Sequence, residues 1–342
     1  MAGSVSIEVD VAGTKLVASG TVFQVTLSER LDAAAELIVA LQEDGDAASV
    51  INALTFGATA TVQLLSGTSP VRTVACTLME IQNTFDPVDG WTVQIRAVDA
   101  LVKLKNKYRT KLWEASPSAI VNTIVGEYGW SAVLQGLGSD VRLTLQDNIS
   151  DAEMLRLIAE ENGCTMVLDG TQLRFGHALD TTKVTLTEAD LISAISVTRT
   201  AQDIPTQVDV VDKAPSSDTV VQGTATTSDL QDISSGTTAC AVVQATWGAV
   251  LLPQESAKVD TATEAKAKAT AILQRRAEQF LRGTLTCLGQ PTARPGRLLT
   301  ITEFGRFNGT YRIAATTHAY GADAGYLTTI DFYSDSTPTD LA

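Results

Sequence analysis

The chain has little of the residues that most often carry chemistry. Its 342 residues include only four cysteines and two histidines. The cysteines are scattered without a Cys-x-x-Cys pair, which predicts small buried side chains and neither a disulfide framework nor a zinc site. No run approaches the roughly 20 apolar residues of a membrane helix, and residues 1–13 lack the basic start and apolar stretch of a signal peptide. We therefore expect no signal peptide and no membrane partner.

Positive charge is also scarce. Lysine and arginine together number 25 against 39 aspartates and glutamates, which gives a net charge of −14. Nucleic-acid binding depends on cations that neutralise phosphates, so this balance argues against a nucleic-acid-binding surface. An excess of acidic residues is typical of a soluble protein surface, and it is also compatible with a channel that nucleic acid passes without binding. Hydrophobic residues make up 44% of the chain, enough for a sizeable core, and the length predicts two or three domains.

No group of residues forms a recognisable catalytic or cofactor motif. A Ser-His-Asp or Cys-His set would have to use His177 or His318, and structural hydrogen bonding explains each of them better. Metal-ligand spacings and glycine-rich phosphate loops are missing from the sequence, so we expect no cofactor and no metal. Glu153, Glu160 and Glu161 suggest the paired carboxylates of a glycoside hydrolase, but a helix cap and a solvated helix face explain them. We expect no enzymatic activity.

One basic segment stands out in this acidic chain. It comprises Lys103, Lys105, Lys107, Arg109 and Lys111. Such a segment is most often a solvated stretch of chain, and the alternative is a docking site for an acidic partner surface.

The order of patterns along the chain predicts a mainly β protein with an α+β insertion. Residues 5–104 alternate apolar and polar side chains, which is typical of half-buried strands. Residues 105–180 change to helix signals, because Ser116-Pro117 and the capping box from Ser150 to Glu153 each begin a helix. Two short strands follow around the turn pair Asp169-Gly170.

The last part of the chain returns to strands. Strand patterns occupy residues 183–212, and residues 213–238 are rich in Ser, Thr, Asp and Gly, which predicts an exposed loop or linker. A capping box at Thr261 begins a helix that we expect to run to about Arg282, with Gly283 as its stop. Small residues in the first half of this helix would let it lie close against a sheet or a partner chain.

A weak internal repeat links the two β-rich parts. Residues 80–91 and 315–326 each contain an aromatic residue, a glycine five positions later and a second aromatic residue directly after it. The first set is Phe85, Gly90 and Trp91, and the second is Tyr320, Gly325 and Tyr326. Two β domains with the same terminal hairpin are the expected trace of a duplication.

The C-terminal segment carries a series of strands and glycine turns. It reads Pro295-Gly296, Leu298 to Thr302, Phe304-Gly305, Gly309 to Ile313, Thr317-His318 and Gly325 to Thr329. The stretch from Ile149 to Gly163 and the helix end from Phe280 to Gly283 belong to the same pattern. Together these motifs resemble the phage late control gene D family, the baseplate hub proteins of contractile tails, which are similar to the N-terminal part of VgrG spikes.

In that family the fold is two similar β-barrel tube domains interrupted by a small α+β domain. For this chain the resemblance implies a first barrel domain of residues 1–104 plus 181–212 and an insertion of residues 105–180. Residues 213–342 would then form the second barrel domain, with a long helix at about 260–282. The family-motif residues would be structural and not catalytic: Gly296, Gly309, Tyr311, His318, Gly325 and Tyr326.

The same resemblance implies a non-enzymatic homotrimeric hub in a virion baseplate or related injection system, made in the bacterial cytoplasm. Three copies would present a near-sixfold face to the tail tube protein and a threefold face to the spike, with baseplate wedge proteins around them. DNA or cargo would pass through the channel without specific binding, helped by acidic repulsion. Because the sequence stops at Ala342, we expect the spike to be a separate trimeric protein. The alternative is a tail-associated cell-wall hydrolase or carbohydrate-binding component.

Overall fold

The main sheet of the molecule joins strands from both ends of the chain. The computed structural model describes residues 5–11, 13–16, 22–42, 51, 54–87, 90–138, 140–177, 179–214, 219–234, 236–255, 259–321 and 324–338. The described strands form one 13-stranded sheet and three sheets of two or three strands. The predicted fold class, mainly β with an α+β insertion, is confirmed.

The N-terminal part contributes seven strands to the large sheet. They are β1 (Val5–Val11), β2 (Thr14–Lys15), β3 (Val22–Arg30), β4 (Glu36–Gln42), β5 (Thr59–Ser66), β6 (Ser69–Asp86) and β7 (Gly90–Asp99). Their pairing order is β3-β4-β7-β6-β5-β1-β2. The predicted alternation is confirmed in β1, where Ile7, Val9 and Val11 are buried and the residues between them are partly exposed. These side chains lie in the apolar core of the N-terminal part.

The insertion holds two helices among short strands. A 3-10 helix at Ala100–Asn106 precedes β8 (Tyr108–Ala115), α1 (Pro117–Gly126), β9 (Ser131–Leu134), β10 (Arg142–Ser150), α2 (Asp151–Asn162), β11 (Thr165–Asp169) and β12 (Gln172–Gly176). The predicted caps are confirmed, because Ser116 accepts from the N–H of Ala119 and Ser150 forms the capping box with Glu153. Gly163 follows α2 in the left-handed conformation, which glycine adopts without strain.

The C-terminal part completes the large sheet and adds a small sheet covered by a helix. Its elements are β13 (Lys183–Leu186), β14 (Ser196–Arg199), β15 (Gln207–Lys213), β16 (Val220–Thr226), α3 (Ala239–Trp247), β17 (Leu251–Glu255), α4 (Ala262–Ala277), β18 (Leu281–Leu288), β19 (Leu298–Ile301), β20 (Gly309–Gly321) and β21 (Gly325–Ser334). The large sheet continues as β14-β18-β21-β20, with β19 beside β20 and β13 beside β19. In the small sheet β15 lies between β16 and β17, and α4 packs on β15 and β16.

Residues 181–212 do not pack with the N-terminal part, to which the sequence assigned them. β13 pairs with β19 and β14 pairs with β18, and Val184, Leu186 and Val208 lie in the apolar core of the C-terminal part. That assignment is therefore wrong, because the local pattern of a strand contains no information about a partner far along the chain. The rest of the predicted domain division stays a prediction.

Two further expectations for the C-terminal part are wrong. The exposed loop predicted over residues 213–238 contains β16, which buries Val221. Large apolar side chains are few there because β16 packs closely against a helix. The helix expected to reach about Arg282 ends at Ala277, and Gly283 lies inside β18.

The large sheet runs through both β regions without a break. β20 of the C-terminal part pairs antiparallel with β3 of the N-terminal part along residues 315–321. The described pairings leave sheet ends at β14, β2 and β13, so they do not by themselves close either region into the barrel that the resemblance implies.

Candidate assembly site

Two long hairpins of the large sheet share one geometry. Each carries an aromatic pair directly across its two strands: Phe85 with Trp91 in β6–β7, and Tyr320 with Tyr326 in β20–β21. The glycine that begins the second strand has a positive φ in both, 80° for Gly90 and 69° for Gly325. Glycine adopts this conformation without strain, so the sequence set of two aromatics and a glycine corresponds to one kind of hairpin end.

The likeness extends along both hairpins at a constant shift of 235 positions, the separation of Phe85 and Tyr320. All nine residue pairs of β20–β21 have a counterpart in β6–β7 at that shift. Each hairpin also has a register shift at the same place, with Met79 the additional residue in β6 and Ala314 in β20. A bulge bends and twists the strand that carries it, so the two hairpins share shape as well as register. Their origin by duplication stays a prediction.

The neighbouring strands match in the same order. β4, β7, β6 and β5 correspond to β18, β21, β20 and β19, and β3 corresponds to β14, the strand beyond β18. The two sets differ at their far end, where β1 pairs antiparallel with β5 but β13 pairs parallel with β19. The two β regions are therefore repeats of one plan with different ends, and we refer to them as the first and second repeat.

One repeat docks on the other through the outer edge of β20, and we call this contact the internal junction. It places Thr316 opposite Glu29, and His318 opposite Leu27. Tyr326 of the second repeat lies in the apolar core of the first. The internal junction therefore combines a ladder of backbone hydrogen bonds with burial of an aromatic side chain.

His318 is buried at the internal junction with both ring nitrogens occupied. Nε2 lies 3.2 Å from the carbonyl oxygen of Ala293, which can only accept, so Nε2 carries the proton. Nδ1 then accepts from the Tyr326 hydroxyl at 2.8 Å, and the Thr328 hydroxyl lies 3.3 Å away. Burial lowers the pKa of His318 to about 4, so the ring is neutral near pH 7.

A buried ion pair lies next to this histidine. The Arg72 guanidinium of β6 donates two hydrogen bonds to the Glu29 carboxylate of β3, and both side chains are largely buried. Thr316 donates to the same carboxylate at 3.5 Å. The carboxylate is also 3.9 Å from Nε2 of His318, but the neutral ring makes this a polar contact and not an ion pair. Glu29 therefore links three strands, β3, β6 and β20.

We predict that burial of His318 makes the protein less stable in acid. In the unfolded chain the imidazole pKa is near 6.5, whereas burial lowers it to about 4 in the folded protein. The unfolded state then binds the proton more readily, so this contribution to stability is complete above about pH 6.5 and is lost as the pH falls through about 4. The largest loss from this one group is about 3 kcal/mol.

The His318→Gln variant tests this prediction, because a glutamine amide can donate to Ala293 without titrating. We expect lower stability near pH 7 but a shallower fall of the urea-unfolding free energy between pH 6.5 and pH 4. His177 and Glu278 also have shifted pKa values, but they titrate in both proteins and cancel in the comparison. Equal slopes in the two proteins would contradict the prediction.

The counterpart of the docked β20 edge is exposed on the first repeat. Residues 80–85 of β6 correspond to residues 315–320 of β20, yet among the described strands none pairs with their outer edge. The aromatic pair beside it is also uncovered, since Phe85 is 57% and Trp91 49% exposed, against 6% for Tyr326. An open strand edge with apolar side chains is a template for pairing with another chain.

The strand that corresponds to β3 is an open edge as well. In the part of the chain that the structure describes, β14 pairs only with β18 and ends the large sheet. Its residues Ser196, Thr198 and Arg199 are exposed, while Val197 packs against the core of the second repeat. Among the described strands, residues 80–85 and β14 are therefore open edges, and they are the counterparts of the two edges that pair at the internal junction.

A cleft of about 620 Å³ borders the β14 edge. Its lining includes Ser196 and Thr198 of β14 and a mixture of charged side chains: Arg30, Asp32, Arg275, Glu278, Arg282 and Asp331. Burial raises the pKa of Glu278 to about 7. The cleft lining therefore holds both acids and bases, with Glu278 only partly ionised near pH 7.

The remaining family-motif residues shape the second repeat. Tyr311 is buried, donates to the carbonyl oxygen of Phe307 at 2.7 Å, and packs its ring 4.8 Å from that of Phe332. Gly296 has a φ of 86° and lies close to the Leu179 side chain, and Gly309 begins β20. Of the six predicted residues, the structure brings together His318 and Tyr326, with Gly325 at the adjacent turn.

The basic segment is partly used inside the chain. Lys107 and Arg109 pair with Glu127, and Arg109 also pairs with the buried Asp151. These ion pairs hold the pKa of Glu127 near 2. Lys103 and Lys105 are exposed on the 3-10 helix, and a docking role for the segment stays a prediction.

The carboxylates considered for hydrolysis do not have the environment of an acid/base pair. Glu153 accepts from the backbone N–H and the hydroxyl of Ser150, which lowers the pKa of Glu153, whereas a general acid needs a raised value. Glu161 pairs with Arg142. Within the described ranges no three His, Cys, Asp or Glu side chains are grouped to hold a metal ion. No helix there has the length and apolar character needed to span a membrane.

Solved structures of phage tail proteins share this fold. The tail protein of Neisseria meningitidis MC58 superposes with a TM-score of 0.71 at 11% identity and covers 99% of both chains. The 43 kDa tail protein of prophage MuSo2 from Shewanella oneidensis gives 0.68 at 16% identity, over 96% of this chain and 98% of that one. The E. coli c3393 protein gives 0.58 at 10% identity, over 99% and 80%. It is described as a type VI secretion component with structural similarity to the T4 tail proteins gp27 and gp5.

At the level of sequence, one family matches most of the chain. The model of the family described as the Alg8 N-terminal domain matches residues 1–321. No curated protein sequence matches. This family is a different one from the late control gene D family, and assignment to the latter stays a prediction.

Proposed function

The chain belongs to the Alg8 N-terminal domain family, and from the fold that it shares with phage tail proteins we propose that it is a structural component of a phage tail or a related injection system. More specifically, we propose a baseplate hub of the late control gene D type. Such a hub is a homotrimer that adapts a sixfold tail tube to a threefold spike and surrounds the central channel.

The internal junction is the observation that carries this proposal. Within one chain, the β20 edge of the second repeat pairs with β3 of the first. Among the described strands, none pairs with the outer edge of residues 80–85, which corresponds to the β20 edge, or with the outer edge of β14, which corresponds to β3. A molecule with one open edge of each kind can bind copies of itself head to tail, and such contacts form a ring when the rotation closes.

Three copies in such a ring would carry six repeats. Neighbouring repeats would meet alternately within a chain and between chains, through similar edges, so one face would approach sixfold symmetry while the whole particle keeps threefold symmetry. The sixfold face fits a tail tube protein and the threefold symmetry fits a trimeric spike on a separate chain. We place baseplate wedge proteins at the periphery and the assembly in the virion tail.

The face of the large sheet turned away from the apolar cores suits a passage for DNA or cargo. On this face Arg96 pairs with both Glu36 and Glu80, so one cation faces two carboxylates. The surplus acid of the chain, at a net charge of −14, would repel phosphates. The expected behaviour is transit through the channel without specific binding.

We assign no enzymatic activity to the proposed hub. The likeness to tail proteins and the cap role of Glu153 favour a structural protein over a cell-wall hydrolase. A zymogram on purified peptidoglycan tests this assignment directly. A clearing band at the mass of the chain would favour the hydrolase alternative.

The native mass of the purified protein tests the hub proposal. We expect a particle of three times the 36.1 kDa chain mass, formed alone or after addition of the cognate spike protein, with a near-sixfold outline in class averages of electron micrographs. A stable monomer that remains monomeric when mixed with its tube and spike proteins would overturn the proposal.

A further inference from the structure

We propose that residues 80–85 of one copy pair antiparallel with residues 195–200 of the next copy, with Asn83 opposite Val197. This inference rests on the proposed homotrimer. It adds the two strands that meet between copies and the register in which they pair.

The first strand of this pairing is fixed by the repeat of the hairpins. At the internal junction the N–H of Leu31 donates to the carbonyl oxygen of Ala314. Because hydrogen-bonded pairs alternate along an antiparallel ladder, the β20 residues whose backbone groups point to β3 are Thr316, His318 and Tyr320. The shift of 235 positions, which holds for all nine residue pairs of β20–β21, converts them into Ile81, Asn83 and Phe85. These are the residues of β6 that would face the next copy.

The second strand is fixed by tracing the ladder across three strands. In the first repeat Leu27 pairs with Leu37, which pairs with Ala97. In the second repeat Val197 pairs with Gly283, which pairs with Phe332. Ala97 and Phe332 are again 235 positions apart, so Val197 occupies the place of Leu27. Because His318 lies opposite Leu27, Asn83 should lie opposite Val197.

The side chains that this register brings together are compatible. At the internal junction Tyr320 lies opposite Val25, and between copies Phe85 would lie opposite Ile195. Both are pairs of an aromatic with a β-branched side chain, which pack favourably across strands. Trp91, about half exposed, would pack on the second repeat of the next copy as Tyr326 packs on the first repeat of its own.

A second copy fits these edges better than an unrelated chain does. The internal junction already shows a strand of the β6/β20 type pairing with a strand of the β3/β14 type in one defined register. Each copy offers one open edge of each type. Pairing between copies covers both edges at once, and it removes the exposed templates that proteins otherwise protect from uncontrolled pairing.

Engineered disulfides test the register. Gln82→Cys combined with Thr198→Cys places two exposed positions opposite each other, and Asn83→Cys combined with Val197→Cys samples the adjacent pair. Residue pairs in an antiparallel ladder alternate between hydrogen-bonded and non-hydrogen-bonded pairs, which differ in Cα separation. The two variants sample one pair of each kind, so at least one of them should have a separation that a disulfide can span. The native cysteines do not interfere because all four are buried. After mild oxidation, at least one variant should shift on non-reducing gels to a covalent trimer of three times 36.1 kDa.

Variants displaced by one residue are the matched controls. Gln82→Cys with Val197→Cys, and Asn83→Cys with Thr198→Cys, put the paired thiols on opposite faces of the sheet, and we expect no covalent trimer. A native trimer in which neither in-register variant cross-links, or in which only the displaced variants do, would overturn the register and leave the hub proposal intact. A wild-type chain that never trimerises would instead contradict the hub proposal itself.

Discussion

Replacing Gly223 with alanine is expected to destabilise the protein by about 3 kcal/mol or more. Gly223 lies in β16, directly beneath α4. A Cβ at this position would lie 2.1 Å from the backbone nitrogen of Lys266 and 2.3 Å from the carbonyl carbon of Ala265. Both are backbone atoms, so no side-chain rotation relieves the clash and the helix would have to move away from the sheet.

The loss should be large because α4 is held close over a wide area. Ala265 and Ala269 of the helix are fully buried against this sheet, and lifting the helix would open a gap along all of these contacts. Urea unfolding measured by circular dichroism gives the free-energy change. Gly138→Ala is the control, since Gly138 has open space around it and no positive φ, and it should unfold like the wild type. Equal stability of the two variants would contradict the close packing.

Local signals in the sequence predicted the elements whose causes are local. The helix starts at Ser116 and Ser150 depend on hydrogen bonds within three residues, and both are present. The same kind of argument failed at Gly283, which resembled a helix stop. Its actual cause is distant, because a Cβ there would lie 2.3 Å from the Phe332 ring and 2.8 Å from the carbonyl oxygen of Ser196. Glycine is needed at that position for cross-strand packing.

Strand partners could not be predicted from the sequence for a related reason. The alternation of residues 183–186 shows which face is buried but not that Lys183 pairs in parallel with Leu298. β16 was predicted as a loop because a strand that packs closely under a helix uses glycine, alanine and threonine in place of large apolar residues. The composition of that segment reflects its neighbour α4 and not exposure to solvent.

Only the hairpin ends of the candidate site could be predicted from the sequence. The aromatic residues and glycines of the two hairpin ends could be matched, because a tight turn constrains few residues strongly. The equivalence of β14 with β3 left no such trace, since Val197 and Leu27 share only an apolar character. It became apparent from the order of pairing, in which each strand is identified by its neighbours.

We expect the Glu29→Ala substitution to lower the free energy of unfolding by about 3–5 kcal/mol. This is the second of the two large effects. The variant removes one partner of a buried ion pair and leaves the Arg72 charge, whose side chain is 13% exposed, without its carboxylate. Removing one partner costs more than removing both, because the remaining charge is neither hydrated nor paired. Arg72→Met in the Glu29→Ala background should therefore recover much of the lost stability.

An exposed ion pair on the same sheet supplies the matched control for Glu29. Glu36 pairs with Arg96, but their side chains are 34% and 46% exposed, so Glu36→Ala should cost less than about 1 kcal/mol. A second readout is specific to the internal junction, because the Glu29 charge raises the pKa of His318 while Arg72 lowers it. Loss of the carboxylate alone should lower the pKa of His318 further, which NMR titration can follow. Equal costs for Glu29→Ala and Glu36→Ala, with an unchanged histidine titration, would mean that the buried ion pair neither stabilises the first repeat nor acts on His318 at the internal junction.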